Sequence, residues 1–300
     1  MKPHPKKQPA LLLTFFIITS LFAAPDFSLS VTPHAGLTFA QADEILYDSN
    51  GQQCSLLKWT EKPVFDAGLT TEFRINDFLI SAGFEYSFLA GPSKMTDLDW
   101  NSGQKYSETV HPLITAKNID ASIKLACNIK SNNSRFTLQP ETQVEYMYMY
   151  FDADKGEGVR NDKNIKVYGV ELTRHSFFLF TGVKGIVDTG NSFNLTAELL
   201  LAPYSYHYET DFHKGVNHPF TSVEIQNGFF SKWKAGFTAG IKLSNSFSID
   251  LYTQLLFGTR DKGPFYSNYY TEKITKFEDQ QSGSNLFAVK CGLSTNYLIF

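Results

Sequence analysis

Residues 94–100 read KMTDLDW and residues 208–215 read YETDFHKG. The first places Asp97 and Asp99 one residue apart, and the second does the same with Asp211 and His213. In extended backbone, residues i and i+2 point to the same side, so each stretch can aim two titratable groups at one point. Two carboxylates that close raise the cost of ionising each other. A histidine beside an aspartate can hand it one ring nitrogen, which fixes the tautomer, and take a proton from water with the other. A carboxylate pair on the opposite side could hold that same water, with the ionisation shared across the pair. Water held in this way can attack a peptide carbonyl without a covalent intermediate. The plain alternative is that both doublets are solvated loop charges. Which reading holds depends on whether the fold brings the doublets together.

The elements that must position them are strands. The chain of 300 residues begins with Lys2, Lys6 and Lys7, followed by the apolar run ALLLTFFIITSLFAA from Ala10 to Ala24. That run is shorter than the roughly 20 residues a spanning helix needs, so residues 1–24 are expected to be a secretory signal peptide and 25–300 a β-barrel domain. No second long apolar run follows. Aromatics nevertheless make up 15% of the chain, with 27 Phe and 15 Tyr, and mean hydropathy is below zero. An export signal with many aromatics and no apolar 20-mer suits a transmembrane β-barrel. The net charge of -3 gives no reason to expect a nucleic-acid partner. Cys54, Cys127 and Cys291 show no metal-ligand spacing; Cys127 and Cys291 fall within strand patterns.

From Phe78 to Phe88, every second residue is apolar or aromatic and the alternate residues are mostly polar or small. Ile119–Lys130, Phe193–Leu201, Trp233–Leu243 and Phe247–Phe257 repeat the scheme, which is that of strands with one dry face. Short polar joins near 76, 132, 190 and 245 alternate with long charged joins at 41–55, 91–113, 152–165, 209–222 and 259–282. Short turns inside and long loops outside are the habit of an outer-membrane barrel. The expected fold is therefore all-β: ten antiparallel transmembrane strands, several long enough to rise above the outer membrane, ending in NYLIF. Counted round such a ring, the doublets lie about four strands apart on long loops or at strand tops, close to opposite across the mouth. An exported β-sandwich is the soluble alternative, but the lysines on the polar faces and the unequal joins fit it less well.

The same residues resemble the omptin family of ten-stranded outer-membrane endopeptidases, over most of the mature chain. MTDLDW resembles the family's catalytic aspartate pair with its following Trp, and ETDFH its Asp-x-His dyad. His111-Pro112, GLTFAQADEILYD, GQQCSLLKW and the terminal strand match as well. The resemblance implies that Asp97 and Asp99 are the water-side pair and that Asp211 and His213 form the dyad. It also implies cleavage near basic residues, with Glu44 and Glu209 as substrate-binding acids; the best-known members resemble an Asp at the second position. Cationic peptides or proteins are then the expected substrates of a monomer in the cell outer membrane, its active site facing the exterior. The family's position for a basic residue after the cut bond falls near Ser107, with Glu108 beside it, and the Trp100–His111 loop is shorter than in the best-known relatives. Many omptins contact lipopolysaccharide through a Tyr-x-Glu-x-Arg pattern, whose positions here are near Val144, Tyr146 and Tyr148 and carry no cation. Lys117 and Arg174 are the cations on neighbouring strands that could replace it. No cofactor is expected; activation by lipopolysaccharide is open, but its usual contact pattern is absent. The alternative function is a barrel of the same fold whose chemistry has lapsed, kept as an adhesin or binding surface.

Other candidates are weaker. DADKGEG at 152–158 hints at a calcium loop, but Lys163 stands where the bidentate acid belongs. His207, between Tyr206 and Tyr208, reads as an interfacial strand residue, and His175 and His218 lack partners at metal spacing. Asn132-Asn133-Ser134 matches a glycosylation pattern within an expected periplasmic turn.

Overall fold

The computed structural model describes residues 26–300 apart from 90, 131–134, 191, 216–218 and 271. The expected signal peptide, the Asn132-Asn133-Ser134 pattern and His218 lie outside the described residues. All the regular structure described is strand: β1 (Phe27–Tyr47), β2 (Gln53–Ile75), β3 (Phe78–Leu89), β4 (Lys94–Asn101), β5 (Gln104–Cys127), β6 (Ile129–Lys130), β7 (Phe136–Ala153) and β8 (Gly156–Arg160). The second half adds β9 (Lys163–Val167), β10 (Val170–Asp188), β11 (Phe193–His213), β12 (Phe220–Gly228), β13 (Lys232–Ser244), β14 (Phe247–Gly258), β15 (Asp261–Ser267) and β16 (Thr275–Leu298).

Ten of these close a ring, in the order β1, β2, β3, β5, β7, β10, β11, β13, β14, β16, with every neighbour antiparallel. The last strand returns to the first from Ser30↔Leu298 to Tyr47↔Gln281. Closure is what hydrocarbon demands, because an open edge would leave a row of N–H and C=O groups unpaired. The alternation read from the sequence becomes inside and outside. Phe78, Phe84, Ile123, Leu125, Leu251 and Leu293 are all more than half exposed on the outer wall, an apolar area far beyond what a water-facing surface carries.

The five joins read from the sequence as long loops are largely strand. Above the ring, β4 is hydrogen-bonded between β2 and β5, and β8 adds to β5 with β9 beyond it. On the other side β12 adds to β11, and β15 bridges β12 and β16. The tips are tight: Ser102-Gly103 and Asn161-Asp162 all adopt positive φ, the left-handed conformation that two-residue hairpin turns require. The DADKGEG stretch is therefore the end of β7 and the start of β8 rather than a loop. No described strand pairs with the outer edge of β9, and the β10–β11 ladder ends at Val170↔His213. The upper wall is open there.

The barrel interior is layered. The lower lumen is charged and paired: Lys124 bridges Glu141 and Glu198 at 3.1 and 2.6 Å, Lys234 meets Glu145, and Lys290 meets Glu85. All of these except Glu141 line a cavity of about 290 Å³, bounded also by Met147, Met149, Leu256 and Leu286. Those four belong to an apolar cluster with Trp59, Phe151, Phe178 and Phe180, the Trp59 and Phe151 rings stacking at 5.4 Å. Each such side chain contributes about 1.5–3 kcal/mol on burial. Trp59 is also the link upward, since its indole N–H donates to Glu44 at 2.7 Å.

Two readings of side-chain direction are corrected. His207 is buried inside the barrel, its ring held between Ser176 and Asp261 at 2.8 Å each. Arg174 likewise points inward and is fully buried, which removes it from the outer wall. The inversion follows from parity: Phe177 and Leu179 face out, so Arg174 and Ser176 on the same strand must face in. His175 does face out, and its Nδ1 lies 2.8 Å from the Tyr146 hydroxyl.

Candidate active site

Asp97 and Asp99 are placed by the register of β4. Asp97 sits between Leu57 and Thr109, and Asp99 between Ser55 and Ser107. Asp211 and His213 end β11, between Leu172 and Ser222 and between Val170 and Phe220. β4 continues β3, four steps round the ring from β11, as the sequence count expects. Both doublets belong to strands rather than to irregular loop, so neither can turn away from the cleft without breaking a ladder.

His213 Nε2 lies 2.7 Å from Asp211 Oδ2, and the Phe220 ring stacks on the imidazole at 4.1 Å and 12°. Together these fix the ring and leave Nδ1 as the nitrogen for proton transfer. Burial disfavours the imidazolium, but the charge and hydrogen bond of Asp211, reinforced by Asp97 and Asp99, raise the His213 pKa above its ordinary value. Burial and the charge of Asp99 push Asp97 up to about 7, while His213 and Arg160 pull the other way. Each doublet thus acts on the other across the cleft. Arg160 closes the far side, its Nε 3.5 Å from the Ser107 hydroxyl, and its charge favours ionisation of both aspartates.

His111 supports this arrangement from beneath. It is buried, its Nδ1–H donates to the Asp154 carbonyl at 2.9 Å, and its Nε2 accepts from the Thr109 hydroxyl at 3.0 Å. Burial lowers its pKa, so it stays neutral. Gly156 lies flat on its ring, where a Cβ would come within 2.6 Å.

Glu44 and Glu209 meet in a second, deeper cluster under Asp211. The structure adds two members to it that the sequence reading did not select, Arg174 and Glu224. Arg174 Nε and Nη2 face the Glu209 carboxylate at 2.9 and 3.0 Å. Nη2 also donates to the Asp43 carbonyl at 2.9 Å and Nη1 to the Asn285 carbonyl at 3.3 Å. β1 and β10 are five steps apart in a ring of ten, so this guanidinium ties opposite walls together. Burial raises the Glu209 carboxyl despite the Arg174 charge, yet a two-point fork is the geometry of an ionised pair. Glu44 and Glu224 stand well above the carboxylate range, through burial first and then their acidic neighbours. Glu224 was legible in principle, as Ser222, Glu224 and Gln226 are the polar face of an alternating segment.

No protein-family model matches the chain, and no curated protein matches it. Among solved structures, the outer membrane protease OmpT from Escherichia coli superposes with a TM-score of 0.79, covering 92% of this chain and 98% of its own at 15% identity. The chain has the fold of an omptin-like outer-membrane β-barrel. At that identity the likeness speaks for architecture alone. The outer membrane protein OprG from Pseudomonas aeruginosa (10% identity, 89% and 95% covered, TM-score 0.34) and the translocator domain of the autotransporter NalP from Neisseria meningitidis (9%, 94% and 95%, 0.34) also match.

The pH dependence of any reaction at the doublets follows from these shifts. If His213 acts as a base it must be neutral imidazole, and its pKa is raised; hydrolysis there should then fall as pH drops through that raised value, above the ordinary histidine value of about 6.5. Asp97, at about 7, titrates in the same window, so the limb belongs to the cluster rather than to one residue. Asp211→Asn removes the principal raising group and should move the limb to lower pH while lowering the plateau. A profile of kcat/KM against pH for both proteins checks this; a limb that stays in place would mean that His213 is not the titrating group.

Proposed function

We propose that this protein is an outer-membrane endopeptidase with its active site facing the exterior, hydrolysing peptides by direct attack of water. The observation that carries the reading is the pairing of two doublets across one cleft: Asp211 against His213 at 2.7 Å, facing Asp97 and Asp99. Asp97 and His213 hold the attacking water and His213 takes its proton, while Asp211 orients the imidazole and Asp99 supports Asp97. Direct attack by water needs no nucleophilic side chain and forms no covalent intermediate. The deeper acidic cluster, of which Glu44 is part, then favours cationic peptides. Cleavage of a fluorogenic peptide containing Arg-Arg by the purified, refolded barrel tests the proposal. An inert barrel that still binds proteins or cells would favour the lapsed-enzyme reading instead.

The outer wall supports a second expectation, about lipid. Val144 is exposed beside Tyr146 and Tyr148, whose rings favour the interface but cannot neutralise a phosphate. With Arg174 turned inward, exposed Lys117, between Phe88 and Tyr150, is what remains of the two cations considered. Turnover of the refolded barrel should not require added lipopolysaccharide. A rise from almost nothing to full activity on adding it would sink the idea.

A further inference from the structure

Glu44, Glu209, Glu224 and Asp211 act on one another electrostatically and share one buried guanidinium, Arg174. That guanidinium is already engaged, by two contacts to Glu209 and by the Asp43 and Asn285 carbonyls. Glu209 is thereby tied into the barrel wall. Glu44 and Glu224 are left over, each only 3% exposed. Glu44 Oε2 accepts from Trp59 at 2.7 Å, and Glu224 Oε2 accepts from the Gln226 amide at 2.7 Å.

The cluster also holds oxygens with nothing to bind. Glu44 Oε1, Asp211 Oδ1 and Gln226 Oε1 are buried without a hydrogen-bond partner. Buried polar atoms are nearly always paired in folded proteins, so three orphaned acceptors beside two surplus carboxyls describe a missing donor. A guanidinium or ammonium suits them, because it brings several N–H donors and a positive charge to an acidic pocket at once. A single anion or a neutral hydroxyl would not.

We propose that Glu224 together with Glu44, rather than Glu209, holds the basic side chain of a peptide substrate, Arg174 having taken Glu209 out of that role. The inference rests on the endopeptidase reading and deepens it. On entry of the cation, at least one of the two carboxyls releases its proton to solvent and accepts N–H donors from the guanidinium or ammonium. Affinity for a basic peptide should accordingly weaken as pH falls, over and above any change in turnover.

The test uses two otherwise identical peptides, with arginine or with citrulline, its uncharged isostere, before the cut bond. kcat and KM are measured with refolded full-length protein, and binding of fluorescently labelled peptide to the His213→Ala barrel is measured by anisotropy. Glu224→Gln should raise KM for the arginine peptide by roughly 30- to 100-fold, the citrulline peptide changing less than about 2-fold, in line with the loss of one charged hydrogen-bonding partner. Glu224→Asp, which keeps the charge, should restore part of the preference and covers the case in which the Gln variant does not refold. Glu209→Gln should leave the arginine preference in place. The proposal is overturned if Glu224→Gln and Glu224→Asp keep the full preference while Glu209→Gln removes it, or if the barrel binds both peptides equally. If the arginine peptide binds preferentially but neither peptide is cut, the pocket stands and only the endopeptidase reading falls.

Discussion

His213→Ala should reduce peptide hydrolysis by at least about a thousandfold, since a positioned general base is worth roughly 10²–10⁴ and here it also sets the ionisation of the groups it faces. The imidazole is held by Asp211 and by the Phe220 ring, at the very end of β11. Its removal leaves every ladder hydrogen bond of the barrel intact. The variant should therefore refold and keep the change of gel mobility on heating that an intact barrel shows. Asp211 loses its partner but lies beside the open cleft, where water can replace it. Turnover within about threefold of the parent protein, in a variant that refolds, would remove His213 from the mechanism.

The second large effect is on stability. Arg174→Met should destabilise the barrel by about 3–5 kcal/mol at neutral pH, the range for removing one partner of a buried ion pair. The guanidinium is fully buried, forks onto Glu209 and reaches the carbonyls of Asp43 and Asn285 on the opposite wall. Without it Glu209 loses its hydrogen-bonded cation among Glu44, Glu224 and Asp211, and the nearby Lys232 is paired with Asp261. The folded pKa of Glu209 must then rise further above the unfolded value. A group raised on folding stabilises fully below its unfolded pKa and loses that contribution as pH rises through the folded one. The deficit of Arg174→Met should therefore be small below the ordinary glutamate value of about 4.3 and grow as pH rises through the raised folded-state pKa of Glu209. Urea unfolding of the refolded protein at several pH values measures it, and Glu209→Gln in the same chain should recover part of the loss, because the two residues are coupled. A pH-independent deficit would mean that packing, and not charge, is what Arg174 supplies.

Both predictions concern residues that read very differently in one dimension. His213 announces itself through spacing, as a titratable group two positions from a carboxylate in extended backbone. Arg174 carries no such mark: it stands in VELTRHSFF next to His175, and which of the two enters the barrel is decided only by the phase of the strand. A single-residue error in phase exchanges inside for outside along the whole segment. Out of phase by one residue, Arg174 reads as a lipid contact and His207 as an interfacial residue; in phase, both are buried inside the barrel.

What the amino-acid sequence determined by itself was whatever depends on short-range periodicity. Alternation in Phe78–Phe88 or Trp233–Leu243 needs only neighbouring residues to define a dry face, and repeated through the chain it imposes antiparallel strands and a closed ring. The i, i+2 spacing in TDLD and TDFH similarly sets each doublet on one face before any partner is known. What the tertiary structure alone decided is everything that depends on meeting across the barrel. Asp97 feels His213 because β4 and β11 stand four strands apart on a closed ring, and Glu44 meets Glu224 across 180 residues of chain. Arg174 spans the lumen to the carbonyls of Asp43 and Asn285, 131 and 111 residues away. No local pattern encodes those distances, because they are fixed by ring closure and by strand register summed over many ladders.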